Sequence, residues 1–261
     1  MLNYPNIDPN IFKIGPIALR WYGFMYLLGF TAGYWVLTWQ SKHKKSLRLS
    51  KEDIGDAVTY AAFGVILGGR IGYTLFYNFS YYFEHPLRVF YVWEGGMSFH
   101  GGFLGTLAAM VLYAKHKKIS FYKLADLAIL AIPIGLGFGR LGNFINGELF
   151  GRATDVPWCM VFPMGGPECR HPSQLYEALL EGLLLFFILF FLNKRKLPDG
   201  VMFWSFITGY GTFRFFVEFF REPDPQLGFI LGPFSMGQFL SFPMAVLGIF
   251  MIFQRLRRKA A

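Results

Sequence analysis

Apolar residues along this chain do not alternate with polar ones. They run on, in seven stretches at roughly 18–40, 54–78, 97–115, 124–147, 172–192, 200–221 and 234–254. A stretch of about 20 apolar residues crosses a hydrocarbon core as a helix, whereas a membrane barrel needs short alternating strands. The pattern therefore predicts an all-α, polytopic membrane helix bundle with about seven transmembrane helices. No soluble domain, internal repeat or low-complexity segment interrupts it, so residues 1–261 read as a single integral membrane domain. Its longest connection is 148–171. The first 17 residues carry one basic side chain, Lys13, and lack the basic, apolar and small-residue order of a cleaved leader. The first stretch is accordingly expected to stay as a helix.

Composition agrees: 54% of residues are hydrophobic, 20% are aromatic and only 16% are charged, against roughly 25% charged in soluble domains. The net charge of +9 would suit a nucleic-acid binder, but its placement argues otherwise. Five lysines and arginines sit in 41–53, four in 115–123, three in 193–199 and four after 254. The alternate connections hold only Lys13, Arg88, Arg152 and Arg170. Basic residues accumulate on the cytoplasmic side, so the N-terminus is expected outside and the C-terminus in the cytoplasm, with no nucleic acid as partner. Cys159 and Cys169 share one outside connection, where a disulfide can persist; spacing alone does not decide whether they pair.

The remaining basic residues, Arg20, Arg70, Arg140, Arg214 and Arg221, lie within or at the ends of apolar stretches, where charge is costly and usually functional. At about 1.5 Å per residue, Arg214 lies about 21 Å up from the cytoplasmic end of the sixth stretch. Arg140 lies about 10 Å below the outer end of the fourth. Tyr22, Arg70, His100 and Glu177 come to the same outer level. Tyr210, Arg214, Glu218 and Arg221 share one helix face by spacing, as do Arg140, Asn143 and Gly147, and Gln174, Glu177 and Glu181. One reading is a set of structural ion pairs, Arg214–Glu218 or Arg70–Glu177. The other is a site. Gly64, Gly68 and Gly72 repeat every fourth residue, as in close helix crossings. The glycines around His100, in Gly95–Gly96 and Gly101–Gly102, fit a backbone-lined cavity or another crossing.

Arginine forks match phosphate oxygens and keep their charge, and histidine is the usual general base near neutral pH. At this depth the natural ligand is a phospholipid headgroup. His-Glu-x-x-His and Gly-x-Ser-x-Gly are absent from the sequence, and no metal site is expected. An anion transporter would favour inverted halves, which seven stretches do not provide. A retinal protein would need a lysine that 234–254 lacks.

The segments Trp21–Tyr22–Gly23, Gly68–Gly69–Arg70–Ile71–Gly72–Tyr73 and Gly96–Met97–Ser98–Phe99–His100–Gly101–Gly102 resemble motifs of the prolipoprotein diacylglyceryl transferase family. So do the run from Gly139 to Gly151, the run from Arg170 to Glu177, Tyr210–Gly211–Thr212–Phe213–Arg214 and Glu218–Phe219–Phe220–Arg221. The resemblance extends over about 4–254. It implies transfer of a diacylglyceryl group from phosphatidylglycerol to the lipobox cysteine of a prolipoprotein signal peptide, giving a thioether and sn-glycerol 1-phosphate. It implies no cofactor, contact with membrane lipid, and residence in the bacterial cytoplasmic (inner) membrane with the active site toward the outer leaflet. Its important positions fall on Tyr22, His100, Arg140, Asn143, Glu148, Gly151, Tyr210, Arg214 and Glu218. With Asn146 added from its place in the buried cluster, the expected catalytic set is His100, Arg140, Arg214, Tyr210 and Glu148. The expected substrate-binding set is Tyr22, Arg140, Asn143, Asn146, Gly151, Arg214 and Glu218. His100 is the first choice as thiol base, with Glu148 or Glu218 as rivals. Arg70 and Glu177 are assigned to structure or to the entrance.

Overall fold

A computed structural model describes residues 2–5, 7–14, 17–43, 47, 49–92, 95–223 and 228–260, with the backbone alone at 14, 17–18, 99–100, 231 and 259–260. Lys44, Lys45 and Arg48, used in the charge count above, lie outside the described residues.

Every apolar stretch is helical. They form α1 (Trp21–His43), α2 (Lys51–Phe76), α4 (Phe99–His116), the pair α5 (Phe121–Ala128) and α6 (Ala131–Asn146), the continuous run α7 (Ser173–Glu177) to α8 (Leu185–Leu192), α9 (Val201–Val217) and α10 (Met236–Ala260). A short α3 (Phe79–Glu84) follows α2. Three helical spans, Lys51–Phe76, Ser173–Leu192 and Met236–Arg258, are long and apolar enough to cross a membrane; the α5–α6 pair, bent by 48°, would make a fourth. At 17 residues, α9 reaches only about 26 Å. Large apolar side chains such as Trp35, Phe76 and Phe250 point outward, as suits a protein solvated by lipid rather than water.

Two small hairpins depart from the all-α expectation. β1 (Asn10–Ile14) pairs antiparallel with β2 (Ile17–Arg20), and β3 (Phe229–Leu231) with β4 (Phe234–Ser235). Each strand is too short for a periodic signal, and β2 takes the first residues of the first apolar stretch.

The chain forms two compact units, Leu37–Leu124 and the rest. In the smaller, α2 and α4 cross on glycine: Gly64, Gly68 and Gly72 lie against the backbone of Gly101 and Gly105, with no room for a Cβ. Gly101 is thus consumed by the crossing, while Gly95 and Gly96 make a turn at φ 84° and 77°. The glycines around His100 serve packing and chain reversal. In the larger unit the core gathers Ile129, Leu130, Leu185, Leu189, Met202, Phe206 and Ile207.

Candidate functional site

Three helical elements of the larger unit carry the buried charges. Gly137 on α6 lies against Gly182, with no side chain between them, so Arg140, one turn on, comes close to the carboxylates opposite. Those are Glu177, ending α7, and Glu181, inside a π-helical segment, Ala178–Leu184. Both are fully buried. The wider π turn keeps positions four apart on one face, and such turns are frequent at functional sites. Arg214 comes from the last turn of α9.

Glu177 Oε2 is the hub. It receives Arg140 Nε at 2.8 Å and Arg214 Nη1 at 2.6 Å. Glu181 stands further off, 3.8 Å from Arg140 Nη2 and 3.6 Å from Arg214 Nη1. Arg214 Nη2 pairs with Glu218 Oε1, which Arg221 Nη1 approaches to 3.2 Å. Ser235 Oγ donates to Glu218 Oε2 at 2.5 Å, and Gly237 packs against the same carboxyl. Ions removed from water persist only when paired and hydrogen-bonded. The Arg214–Glu218 pair expected from spacing is present.

Arg70 behaves otherwise. Its guanidinium donates to carbonyls of its own unit: Val89 at 2.8 Å, Arg88 at 2.6 Å and Tyr91 at 3.0 Å, together with Gly95 and Gly96. It also stacks over Tyr82. In place of the Arg70–Glu177 pair considered from sequence, Arg70 gathers a turn and Glu177 gathers Arg140 and Arg214. A fork presented to a ring of carbonyls satisfies both sides without a counter-ion, which spacing along the chain could not reveal.

The end of α6 builds a second cluster. Gly147 caps it in the left-handed region, and the chain reverses so that Asn143 Nδ2 and Asn146 Nδ2 donate to Glu148 Oε1 at 2.9 and 3.2 Å. Gln174 Nε2 donates to the Glu148 carbonyl at 2.7 Å. Leu149 holds φ 57°, a conformation that branched chains rarely adopt. Gly151 lies between Phe220 and His171 with no space for a Cβ. Tyr22 packs on Gly142 and places its hydroxyl 3.4 Å from that of Tyr26, within electrostatic reach of Glu148 and Arg140. Tyr210, stacked on Phe206, lies within electrostatic reach of Glu181, Arg214 and Arg140.

The 148–171 connection covers this region. Arg152 donates from Nη2 to the Glu218 carbonyl and from Nε to that of Arg221, both at 2.9 Å. It thereby caps the open carbonyls beyond α9. Arg170 reaches the Gly165 carbonyl at 2.8 Å and the carboxyls of Glu168 and Glu222 at 2.8 and 3.2 Å. Cys159 and Cys169 form a disulfide with Cα atoms 5.4 Å apart. His171, whose Nδ1 lies 3.1 Å from the Tyr176 hydroxyl, has its pKa lowered by burial.

The larger unit thus gathers Tyr22, Arg140, Asn143, Asn146, Glu148, Gly151, Glu177, Tyr210, Arg214 and Glu218. His100 lies on the first turn of α4, in the smaller unit, and its side chain is outside the described residues. Sequence reasoning gave no part to Arg152, Ser235, Gly237 or Gln238, whose side chain accepts from the Ser235 amide at 3.0 Å. The only hint was two polar residues opening an otherwise apolar stretch. Among the described residues no group of histidine, cysteine or carboxylate is arranged to hold a metal ion.

Residues 9–254 match the model of a family described as prolipoprotein diacylglyceryl transferase. The chain is 58% identical over 258 residues to the phosphatidylglycerol--prolipoprotein diacylglyceryl transferase of Geobacter sulfurreducens, covering 99% of each chain. It is 52% identical to the enzyme of that name from Aliivibrio salmonicida, covering 98% of this chain and 90% of the relative. For the one from Vibrio parahaemolyticus the identity is 53%, over 96% and 92%.

Proposed function

Because the chain belongs to the prolipoprotein diacylglyceryl transferase family, we propose that it moves the diacylglyceryl group of phosphatidylglycerol onto the lipobox cysteine thiol of prolipoproteins. The products are a thioether and sn-glycerol 1-phosphate. The observation that carries this reading is the convergence of Arg140 and Arg214, from two helices, on one buried carboxylate. Glu177 takes Arg140 at Nε and Arg214 at Nη1, and Glu218 holds Arg214 Nη2; the N–H groups left over, chiefly those of Arg140, suit the oxygens of one phosphodiester.

In this mechanism the substrate thiol, with an ordinary pKa of about 8.5, gives its proton to His100; Glu148 or Glu218 is the rival acceptor. The thiolate attacks the glycerol carbon bearing the phosphate ester, and the carbon–oxygen bond breaks. Charge collects on the departing phosphate, where Arg140 and Arg214 hold it in surroundings that screen little. Glu148, already fixed by Asn143 and Asn146, orders the headgroup side together with Tyr22 and Gly151. Tyr210 and Glu218 orient Arg214. Arg70 and Glu177 act by holding other groups.

The same reading puts the protein in the bacterial inner membrane, with seven spans, the N-terminus outside, the C-terminus in the cytoplasm and the site toward the outer leaflet. Support comes from the alternation of basic connections and from the seven helical stretches. The direct test incubates purified protein with phosphatidylglycerol and a lipobox peptide and seeks the diacylglyceryl thioether by mass spectrometry. A peptide with serine for the cysteine should stay unmodified. Folded protein that leaves the cysteine peptide unmodified would overturn the proposal.

A further inference from the structure

We propose that Glu181 keeps the buried site electrically balanced by taking up one proton when an anionic phosphodiester binds. The inference rests on the reading of Arg140 and Arg214 as phosphate ligands. Three buried carboxylates face these arginines, and they are not equally served. Glu177 receives both guanidinium groups at 2.6–2.8 Å. Glu218 has Arg214, Arg221 and the Ser235 hydroxyl. Glu181 is fully buried, yet neither of its oxygens accepts a hydrogen bond among the described residues, and its arginines stand off at 3.6–3.8 Å.

The groups facing Glu181 come from each element packed on its segment. They are Arg140 on α6, Glu177 on α7, Tyr210 and Arg214 on α9, and Arg221 just beyond. From α8 come only apolar side chains. In this proposal Glu181 enters as a carboxylate whose cations, Arg140 and Arg214, stand 3.6–3.8 Å away, while Arg221 faces Glu218. A bound phosphodiester adds one negative charge and draws the guanidinium groups further from Glu181. The carboxylate with the weakest partners is then the one that gains least by staying ionised. Proton uptake there restores neutrality and turns an unsatisfied acceptor into a hydroxyl donor. The balance is one proton from solvent, one lipid bound and no change in total charge.

Calorimetry of phosphatidylglycerol binding to the detergent-solubilised protein, in buffers of different ionisation enthalpy, counts that proton. With no peptide present, the wild-type protein should take up close to one proton per lipid. Within the pH range where the proton is taken up, its Kd should weaken by up to about tenfold per pH unit as pH rises. Glu181→Gln should take up none and bind independently of pH, while His100→Gln should keep the uptake. Infrared difference spectra of the wild-type protein should gain a protonated-carboxyl C=O band on lipid binding, a measurement that needs no variant. Lipid binding without uptake or new band, or uptake that persists in Glu181→Gln or vanishes in His100→Gln, would overturn the inference alone. Absence of any phosphatidylglycerol binding would overturn the phosphate reading, and this inference with it.

Discussion

At the scale of single residues, Glu177 holds two arginines from different helices on one carboxylate oxygen. Arg140→Lys and Arg214→Lys should each slow transfer by about 2–4 kcal/mol of barrier, by analogy with a lost oxyanion donor. An ammonium keeps the charge but cannot hold Glu177 and a phosphate in one plane. Single-turnover transfer by membrane-inserted variants measures this, and wild-type rates in both would remove the phosphate role. His100→Gln should cost roughly 10²–10⁴-fold in the same assay if His100 is the base. The loss should shrink for a more acidic acceptor thiol, and unchanged rates across pH 5.5–9 would pass the role to a carboxylate. His171 makes a prediction about stability. Burial lowers its proton affinity in the folded state, so the unfolded chain binds the proton first as pH falls. Its contribution is complete above a pH of about 6.5 and is lost below it. His171→Phe, which keeps a ring against Phe220 and Tyr176, should flatten the acid side of the Tm profile, and an unchanged slope would dismiss it. The polar members of the cluster on α9 were legible because Tyr210, Arg214 and Glu218 recur every four residues on one helix face. Ser235 and Gln238 were not, since short polar side chains reveal their partner only once α10 has packed against α9.

At the scale of elements, glycine decides where helices meet. Gly68 and Gly105 leave no room for a Cβ at the α2–α4 crossing, so Gly68→Leu should push the helices apart and destabilise the smaller unit by about 1–3 kcal/mol. Gly55, with open space around its Cβ position, is the control. Thermal unfolding in detergent compares the two, and equal melting would deny the crossing. The helical stretches and this glycine period were readable from sequence because both repeat many times. The π segment was not. Nothing in Ala178–Leu184 separates it from ordinary helix, and its contact with α6, Gly182 against Gly137, appears only once the helices pack. The hairpins escaped for a different reason, since two to five residues carry no measurable alternation.

At the scale of the whole molecule, the distribution of lysine and arginine predicts sidedness. Reporter fusions after residue 118 or 196 should read cytoplasm and a fusion near 160 should read outside; a cytoplasmic signal at 160 would invert the topology. The 148–171 connection also holds the disulfide, whose partners sequence could nominate but not join, because pairing depends on the bridges around them. Replacing both cysteines with serine should leave the initial transfer rate near wild type, since the thiol that reacts belongs to the substrate. A large loss of rate in folded variant would give the bridge a direct part. Those bridges divide the connection unevenly. Gly151 and Arg152 are tied by backbone bonds to Phe220 and His171, whereas in the turn inside the disulfide loop Gly165 is held by Arg170 while Met164 and Gly166 are exposed. Length can therefore vary at that tip without moving Arg152 off the end of α9. A short epitope inserted after Gly166 should be tolerated, giving a handle on the 148–171 connection that leaves the buried ion pairs untouched.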